Sequence, residues 1–369
     1  MRAVIVSRVY ADPATRGKLK ALASQGIALA AAVPDRWTPL GLQTAQKTSW
    51  GDDAGVQTVP IPVGSAAGGG DPSWSAATLR RLLTDFRPDL VQIEEEPWSR
   101  AAAVASRVAR RLRIPYLLLA RESLPQRHGI VAGFRRGRVL RGARGVMGVN
   151  DAAVRLAVRR HPSLPTALVP QLGVALPSTV ERAAHPGLTI GFLGRLIPEK
   201  GLDLLFRSCV KLLGRWAITV VGSGPAQEEL EELAERLGIA GRVTWLGALP
   251  RQRVDEVWPR LDCVVAPSRT APRWVEVVPR AALEAMAHAI PVVATDSGAL
   301  PGAVGPGGII VPEEDVTALA AALQRLHDEP AERARLGGLG RQRVMDEFTD
   351  TAVAARTLRF WRSVLGATG

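Results

Sequence analysis

Short apolar runs alternate with stretches of helical period along almost the whole chain. In the first half, Ala3–Val6, Ala28–Val33, Leu90–Ile93, Tyr116–Leu119, Gly145–Val149 and Thr166–Val169 read as strands. In the second half Thr189–Leu193, Ala217–Val221, Val243–Leu246, Cys263–Ala266, Pro291–Ala294 and Gly308–Val311 do the same. Between them Leu79–Phe86, Ala101–Leu112, Leu202–Leu213, Ala226–Leu237, Arg280–Ala289 and Val316–His327 space their apolar residues as helices do. Such alternation predicts an α/β protein with parallel, Rossmann-like doubly wound sheets covered by helices on both faces, one sheet per half.

A chain of 369 residues favours two domains. The polar, proline-flanked segment Pro177 to Pro186 has no periodicity and marks the boundary. The expected organisation is a first domain over 1–176, a linker over 177–187 and a second domain over 188–345. A final helical stretch within 346–369, carrying Phe360 and Trp361, is expected to cross back onto the first domain. Gly64–Gly70 is expected to be a flexible loop.

Charge narrows the partner. The formal net charge of +12 calls for an anion, but does not choose among phosphate, anionic lipid and nucleic acid. Cys209 and Cys263, the only cysteines, both lie in apolar runs and read as core thiols of a cytosolic protein. No signal-peptide region opens the chain, and no run reaches the roughly 18 apolar residues of a spanning helix. The expected location is cytoplasmic, with peripheral contact at the inner face of the membrane.

Two segments carry candidate chemistry. In Ile190-Gly-Phe-Leu-Gly-Arg195-Leu-Ile-Pro-Glu-Lys200-Gly, a strand runs into a loop holding two cations, followed by a helical pattern. Open α/β sheets bind ligands at that edge, where Arg195 can fork onto a phosphate and Lys200 adds a point charge. Taken alone, the pair reads equally as an ordinary solvated loop. Gly222-Ser-Gly224-Pro follows the next strand; Gln227 stands where a dinucleotide fingerprint needs glycine, so the loop is either a tight turn or a backbone approach to a ligand. No Walker-type lysine motif is present. In the second segment Pro267-Ser268 ends a strand, Glu276 precedes Pro279 at a helix start, and Glu284 lies on that helix among Ala281, Leu283, Ala285 and Met286. A carboxylate in so apolar a stretch needs a partner. Cations and acids together suit a nucleoside diphosphate sugar, the acids meeting its hydroxyls.

Gly194-Arg195, Glu199-Lys200-Gly201, Gly222-x-Gly224, Trp245-Leu-Gly247, Pro267-Ser268, Glu276-x7-Glu284-Ala-Met-Ala and Pro291-Val-Val-Ala-Thr together resemble the family-4 retaining glycosyltransferases of GT-B fold, the group 1 glycosyl transferases. The first half resembles them more loosely at Pro88–Pro97, Gly145–Asp151 and Val169–Val174. The resemblance implies a GT-B architecture with an interdomain cleft, the first domain binding the acceptor and the second the donor. It implies sugar transfer from a UDP or GDP donor to an acceptor hydroxyl with retention, and without metal or other cofactor. Arg195 and Lys200 would grip the diphosphate, Glu284 the ribose, and Glu276 the donor sugar near its reacting carbon. Gly194, Gly222, Gly224 and Ser268 complete the implied donor site, with Glu276, Arg195 and Lys200 as its catalytic members.

Several positions depart from the family pattern. Val277-Val278-Pro279 follow Glu276, and Pro279 offers no N–H to a donor. Ala289 and Gly302 stand where a glycine and an acid are usual. Ala11-Asp-Pro-Ala-Thr-Arg16-Gly-Lys18 replaces a glycine-rich loop, and Arg121 replaces a histidine. These departures leave a catalytically impaired binding or scaffold subunit as the competing expectation.

Arginines crowd residues 100–144, interleaved with Leu124, Ile130, Val131 and Phe134. They form either a solvated helix surface or a dock for anionic lipid or a polyanionic acceptor. Nucleic acid is not expected, since no groove-reading motif accompanies the charge. Arg16, Glu96, Arg121 and His128 are the acceptor-side candidates for a hydroxyl acceptor, whether glycolipid, surface polysaccharide or metabolite. The triplet Glu94-Glu95-Glu96 either touches acceptor hydroxyls or neutralises arginines.

Overall fold

The computed structural model describes residues 1–38, 45–64, 73–126, 128–178 and 187–366. Most of the expected linker, most of the Gly64–Gly70 loop, and Arg127 lie outside the described residues. The chain forms two compact units, one of residues 1–173 with 350–369 and the other of residues 174–349.

The first unit is built on β1 (Arg2–Val6), β2 (Ala28–Pro34), β5 (Gly51–Asp53), β6 (Val56–Ile61), β7 (Leu90–Ile93), β8 (Tyr116–Ala120), β9 (Gly145–Gly148) and β10 (Thr166–Leu168), with β3 (Arg36–Trp37) and β4 (Gln46–Lys47) as a separate ribbon. The sheet order is β10-β9-β8-β7-β1-β2-β6-β5, every pair parallel except β5 with β6. Ala3 to Val6 of β1 are wholly buried, as a central strand covered on both faces must be. The apolar runs did not reveal β6, because Val-Gln-Thr-Val-Pro-Ile mixes polar residues and a proline. It lies next to the edge, where the sheet tolerates Pro60. Helices α1 (Gly17–Ser24), α2 (Ala76–Phe86), α3 (Arg100–Arg111), α4 (Ile130–Arg141) and α5 (Asp151–Val158) connect the strands. Side chains of Ser75, Ser99 and Asn150 cap α2, α3 and α5.

The second unit has β11 (Leu188–Leu193), β12 (Trp216–Val221), β13 (Val243–Trp245), β14 (Cys263–Ala266), β15 (Val292–Thr295) and β16 (Gly308–Val311) in the order β13-β12-β11-β14-β15-β16. All five pairings are parallel. Its helices are α6 (Leu202–Cys209), α7 (Gln227–Arg236), α8 (Arg251–Val254), α9 (Arg280–Ala287), α10 (Leu300–Val304), α11 (Val316–Asp328) and α12 (Pro330–Glu347). The helix expected over Leu202–Leu213 stops at Cys209, leaving Val210 and Leu213 exposed rather than core-facing. The last helix, α13 (Asp350–Leu365), belongs to the first unit, where its Trp361 indole donates to Gln92 at 2.7 Å. Cys209 and Cys263 are buried free thiols, and burial pushes the Cys209 thiol up.

Each sheet reverses its strand order beside its first strand. In the second unit the reversal lies between β11 and β14, and in the first between β1 and β7. The carboxyl ends of these strand pairs leave a crevice that diverging connections cannot fill, so ligands bind there.

Candidate functional site

Gly194 and Arg195 follow β11, and Pro267 and Ser268 follow β14, so the two signature segments meet at the switch point of the second unit. Gly201 makes the meeting possible. Its φ is +69°, and a Cβ there would come within 1.9 Å of the Pro267 carbonyl oxygen. Only glycine lets the loop before α6 lie against the β14 loop so closely.

Lys200 Nζ sits 2.5 Å from Glu276 Oε2, and the Ser268 hydroxyl donates to the same oxygen at 2.9 Å. Thr295 in turn donates to the Ser268 carbonyl. Glu276 is 6% exposed, a position tolerable for a carboxylate only with such partners. The Trp274 ring lies 5.5 Å from Lys200 Nζ, a cation–π contact that helps hold the ammonium. The Glu276 carbonyl accepts from Ala299 at 2.8 Å, which ties the acid to the turn after β15. Lys200, Ser268, Glu276 and Arg280 line one small pocket with Leu193 and Pro279.

Glu284 lies one turn along α9, bonded by the Arg280 guanidinium at 2.8 Å. The i,i+4 spacing made that pair legible, yet the sequence reading passed over Arg280. Trp274 gave no such signal, because its contact with Lys200 depends on how the Ala271–Trp274 turn folds. Arg195 is exposed, and its side chain has no partner among the described residues. Gly222 and Gly224 pack against the turn after β11: added Cβ atoms would lie 1.8 Å from the Gly194 carbonyl oxygen and 2.2 Å from that of Leu196. Loop-on-loop packing therefore accounts for both glycines. Pro279 is the N-cap residue of α9, and among the described residues no side chain caps that helix.

The acceptor-side candidates separate into two groups in the first unit. Arg16 is 7% exposed and spends its guanidinium on the Tyr10 and Ala11 carbonyls and on Asp53, bracing the loop after β1; the same side chain lines a pocket with Trp37, Trp50 and Asp52. Glu96, Arg121 and His128 gather instead beyond β7 and β8. Glu96 accepts from the Arg121 and Glu122 amides at 3.0 and 3.2 Å, while burial pushes its carboxyl above the usual glutamate range. His128 bonds Glu122 at 2.8 Å and stacks on Trp98 at 4.6 Å. The glutamate triplet has cationic partners: Glu94 pairs with Lys18 at 2.8 Å and Glu95 with Arg8 at 3.0 Å. Among the described residues no group of three His, Cys, Asp or Glu could hold a metal ion, and no helix is long and apolar enough to cross a membrane.

Two parallel-sheet α/β units, with the signature loops at a switch point, define the GT-B class of fold. Its solved members include the Anabaena protein Alr3699/HepE in complex with UDP and glucose, 16% identical with a TM-score of 0.71 over 98% of this chain and 100% of that one. The family model for a glycosyl transferase 4-like domain matches residues 11–171, and that for glycosyl transferases group 1 matches residues 180–343. The chain belongs to the group 1 glycosyl transferases. It is 35% identical over 163 residues to a GDP-mannose-dependent alpha-(1-6)-phosphatidylinositol monomannoside mannosyltransferase of Mycolicibacterium smegmatis, a match covering 42% of this chain and 43% of that relative. It is 28% identical over 328 residues to a 2-deoxystreptamine glucosyltransferase of Streptomyces kanamyceticus, covering 80% and 83%. The match to the first relative thus spans less than half of that protein's length.

Proposed function

We propose that the protein is a retaining hexosyltransferase that moves a sugar from a nucleoside diphosphate donor to an acceptor hydroxyl. The observation that carries this is the convergence of Lys200, Ser268 and Glu276 on one pocket at the switch point. A lysine ammonium has three donors, so Lys200 can keep Glu276 and still meet a phosphate oxygen. Arg195, exposed and unengaged among the described residues, is available to fork onto the diphosphate. Glu276 then offers its acceptor oxygens to sugar hydroxyls, and Glu284, oriented by Arg280, offers its own to the ribose.

In the reaction the bond between the anomeric carbon and the diphosphate oxygen breaks as positive charge builds on the sugar ring. Lys200 and Arg195 stabilise the departing negative charge, a task met here by side chains rather than a resident metal. The acceptor oxygen bonds the anomeric carbon on the face the diphosphate leaves, and its proton passes to the released diphosphate. The solved relative that binds UDP and the relative named for GDP-mannose both support a UDP or GDP donor without choosing between them. The acceptor is a hydroxyl on a lipid-linked or anionic molecule, met by a protein that is cytoplasmic and peripheral at the membrane.

Thermal unfolding with UDP and with GDP tests the donor site. One nucleotide should raise the transition temperature through mass action. Arg195→Ala and Lys200→Ala should each weaken that nucleotide by roughly 1.5–3 kcal/mol, the worth of a charge-assisted bond. Unchanged affinity in both variants would overturn the assignment. Pro279, which leaves the start of α9 without one N–H, favours a second reading, a nucleotide-binding subunit without transfer activity. Nucleotide binding with no sugar released from any UDP- or GDP-sugar would select it.

A further inference from the structure

Most large apolar side chains among the described residues are buried, but three exposed ones gather on one helix. Ile130, Val131 and Phe134 are 93%, 70% and 73% exposed and share the first turns of α4. Ile130 is the most exposed large apolar side chain described. Three such side chains at the start of one helix cost free energy in water, and among the described residues no neighbouring element covers them.

Along the same helix, Ile130, Phe134, Arg138 and Arg141 fall at successive spacings of four, four and three, which is one stripe. All four are exposed. The opposite side of α4 buries Val139 and Leu140 in the core, so the stripe faces away from the unit. Gly133 and Gly137 sit beside it, and a Cβ at either would meet nothing within 4 Å. These glycines serve no internal packing, and they leave the exposed face unusually smooth. The neighbouring arginines behave differently. Arg135 donates to the Trp98 carbonyl at 2.9 Å, and Arg136 donates to the Leu156 carbonyl and pairs with Glu122. The structure thus sorts the basic region into arginines that brace the fold and arginines that share an apolar stripe.

We propose that the outward stripe of α4 is a docking surface for an anionic phospholipid bilayer, with Ile130, Val131 and Phe134 entering the interface and Arg138 and Arg141 meeting lipid phosphates. Apolar insertion beside cations is the chemistry of an interfacial helix. The charge sign excludes a neutral surface as the preferred partner, and the net charge of +12 acts in the same sense. Position adds a consequence. His128, on the Glu96–Arg121–His128 side of the unit, precedes α4 by two residues, so a docked helix would hold that cluster at the lipid headgroup level. This deepens the peripheral reading above and is independent of the donor assignment.

Vesicle flotation tests it with the full chain. The protein should float with phosphatidylglycerol-rich vesicles and not with phosphatidylcholine vesicles. Ile130→Ser with Phe134→Ser should lower the bound fraction about ten-fold or more, as loss of two inserted apolar side chains requires. Arg138→Gln with Arg141→Gln should lower it about five-fold per charge. Both pairs lie on an exposed face, so both variants should keep the wild-type nucleotide thermal shift. That control separates failure here from failure of the donor reading. Negligible binding to both vesicles, or unchanged flotation of the Ile130→Ser/Phe134→Ser variant, would sink the proposal. So would a dimer in light scattering that Phe134→Ser dissociates, since a second copy would then cover the stripe.

Discussion

At the residue scale, two positions show how one side chain's setting sets its energetics. Ala289 follows α9 with a φ of +54°, a conformation in which an L side chain crowds its own carbonyl. It occupies the place where the family resemblance implies glycine. Ala289→Gly should therefore raise stability by roughly 0.5–1 kcal/mol, relief of strain outweighing the added freedom of the unfolded chain. Urea unfolding measures this, and a loss of stability would refute it. Glu95 is the second case. Burial outweighs the nearby Arg8 and pushes its carboxyl from the ordinary 4.5 up to about 7. The folded state therefore holds a proton between those values that the unfolded state has released, so stability falls as pH rises through that window and levels above it. The slope integrates to about 3 kcal/mol at most. Glu95→Gln should flatten it in urea titrations taken at several pH values; an unchanged slope would place the titration elsewhere.

At the element scale, α1, β7 and α13 are joined by a buried polar cluster that no motif announced. Lys18 and Glu94 have wholly buried side chains 2.8 Å apart, and Gln92, Gln171 and Tyr10 complete the bonding around Glu94. Gln92 also accepts from Trp361, so the cluster helps hold the last helix in the first unit. Buried carboxylates cannot be left alone. Lys18→Met should cost about 3–5 kcal/mol, whereas adding Glu94→Gln should recover most of the loss because the remaining group is neutral. A double variant as unstable as the single would show that Lys18 acts through packing rather than charge. Helix α12 teaches the same lesson for backbone. Its sequence holds Gly337, Gly338 and Gly340, poor helix formers, and its apolar period is weak. It forms because Gly337 packs against the Ala289 backbone and Gly340 against Met286, contacts that a propensity reading cannot contain.

At the scale of the whole molecule, the pattern of apolar runs determined the class of fold. Parallel strands buried on both faces must be continuously apolar, and the helices between them must be amphipathic. The strands read from those runs are all present, to within a residue or two at their ends. The short or mixed strands β5 and β6 escaped because lying near an edge frees a strand from that rule. The spacing of Arg195, Lys200, Glu276 and Glu284 is equally a property of the sequence, and cations and acids so spaced suit a phosphate-bearing ligand. What only tertiary structure decided was pairing. Lys200 belongs to Glu276, Glu284 to Arg280, Arg16 to its own loop, and the arginines of α4 to different faces. Charge and period are written residue by residue, but a partner is chosen by the folding of loops whose close approaches depend on glycines such as Gly201.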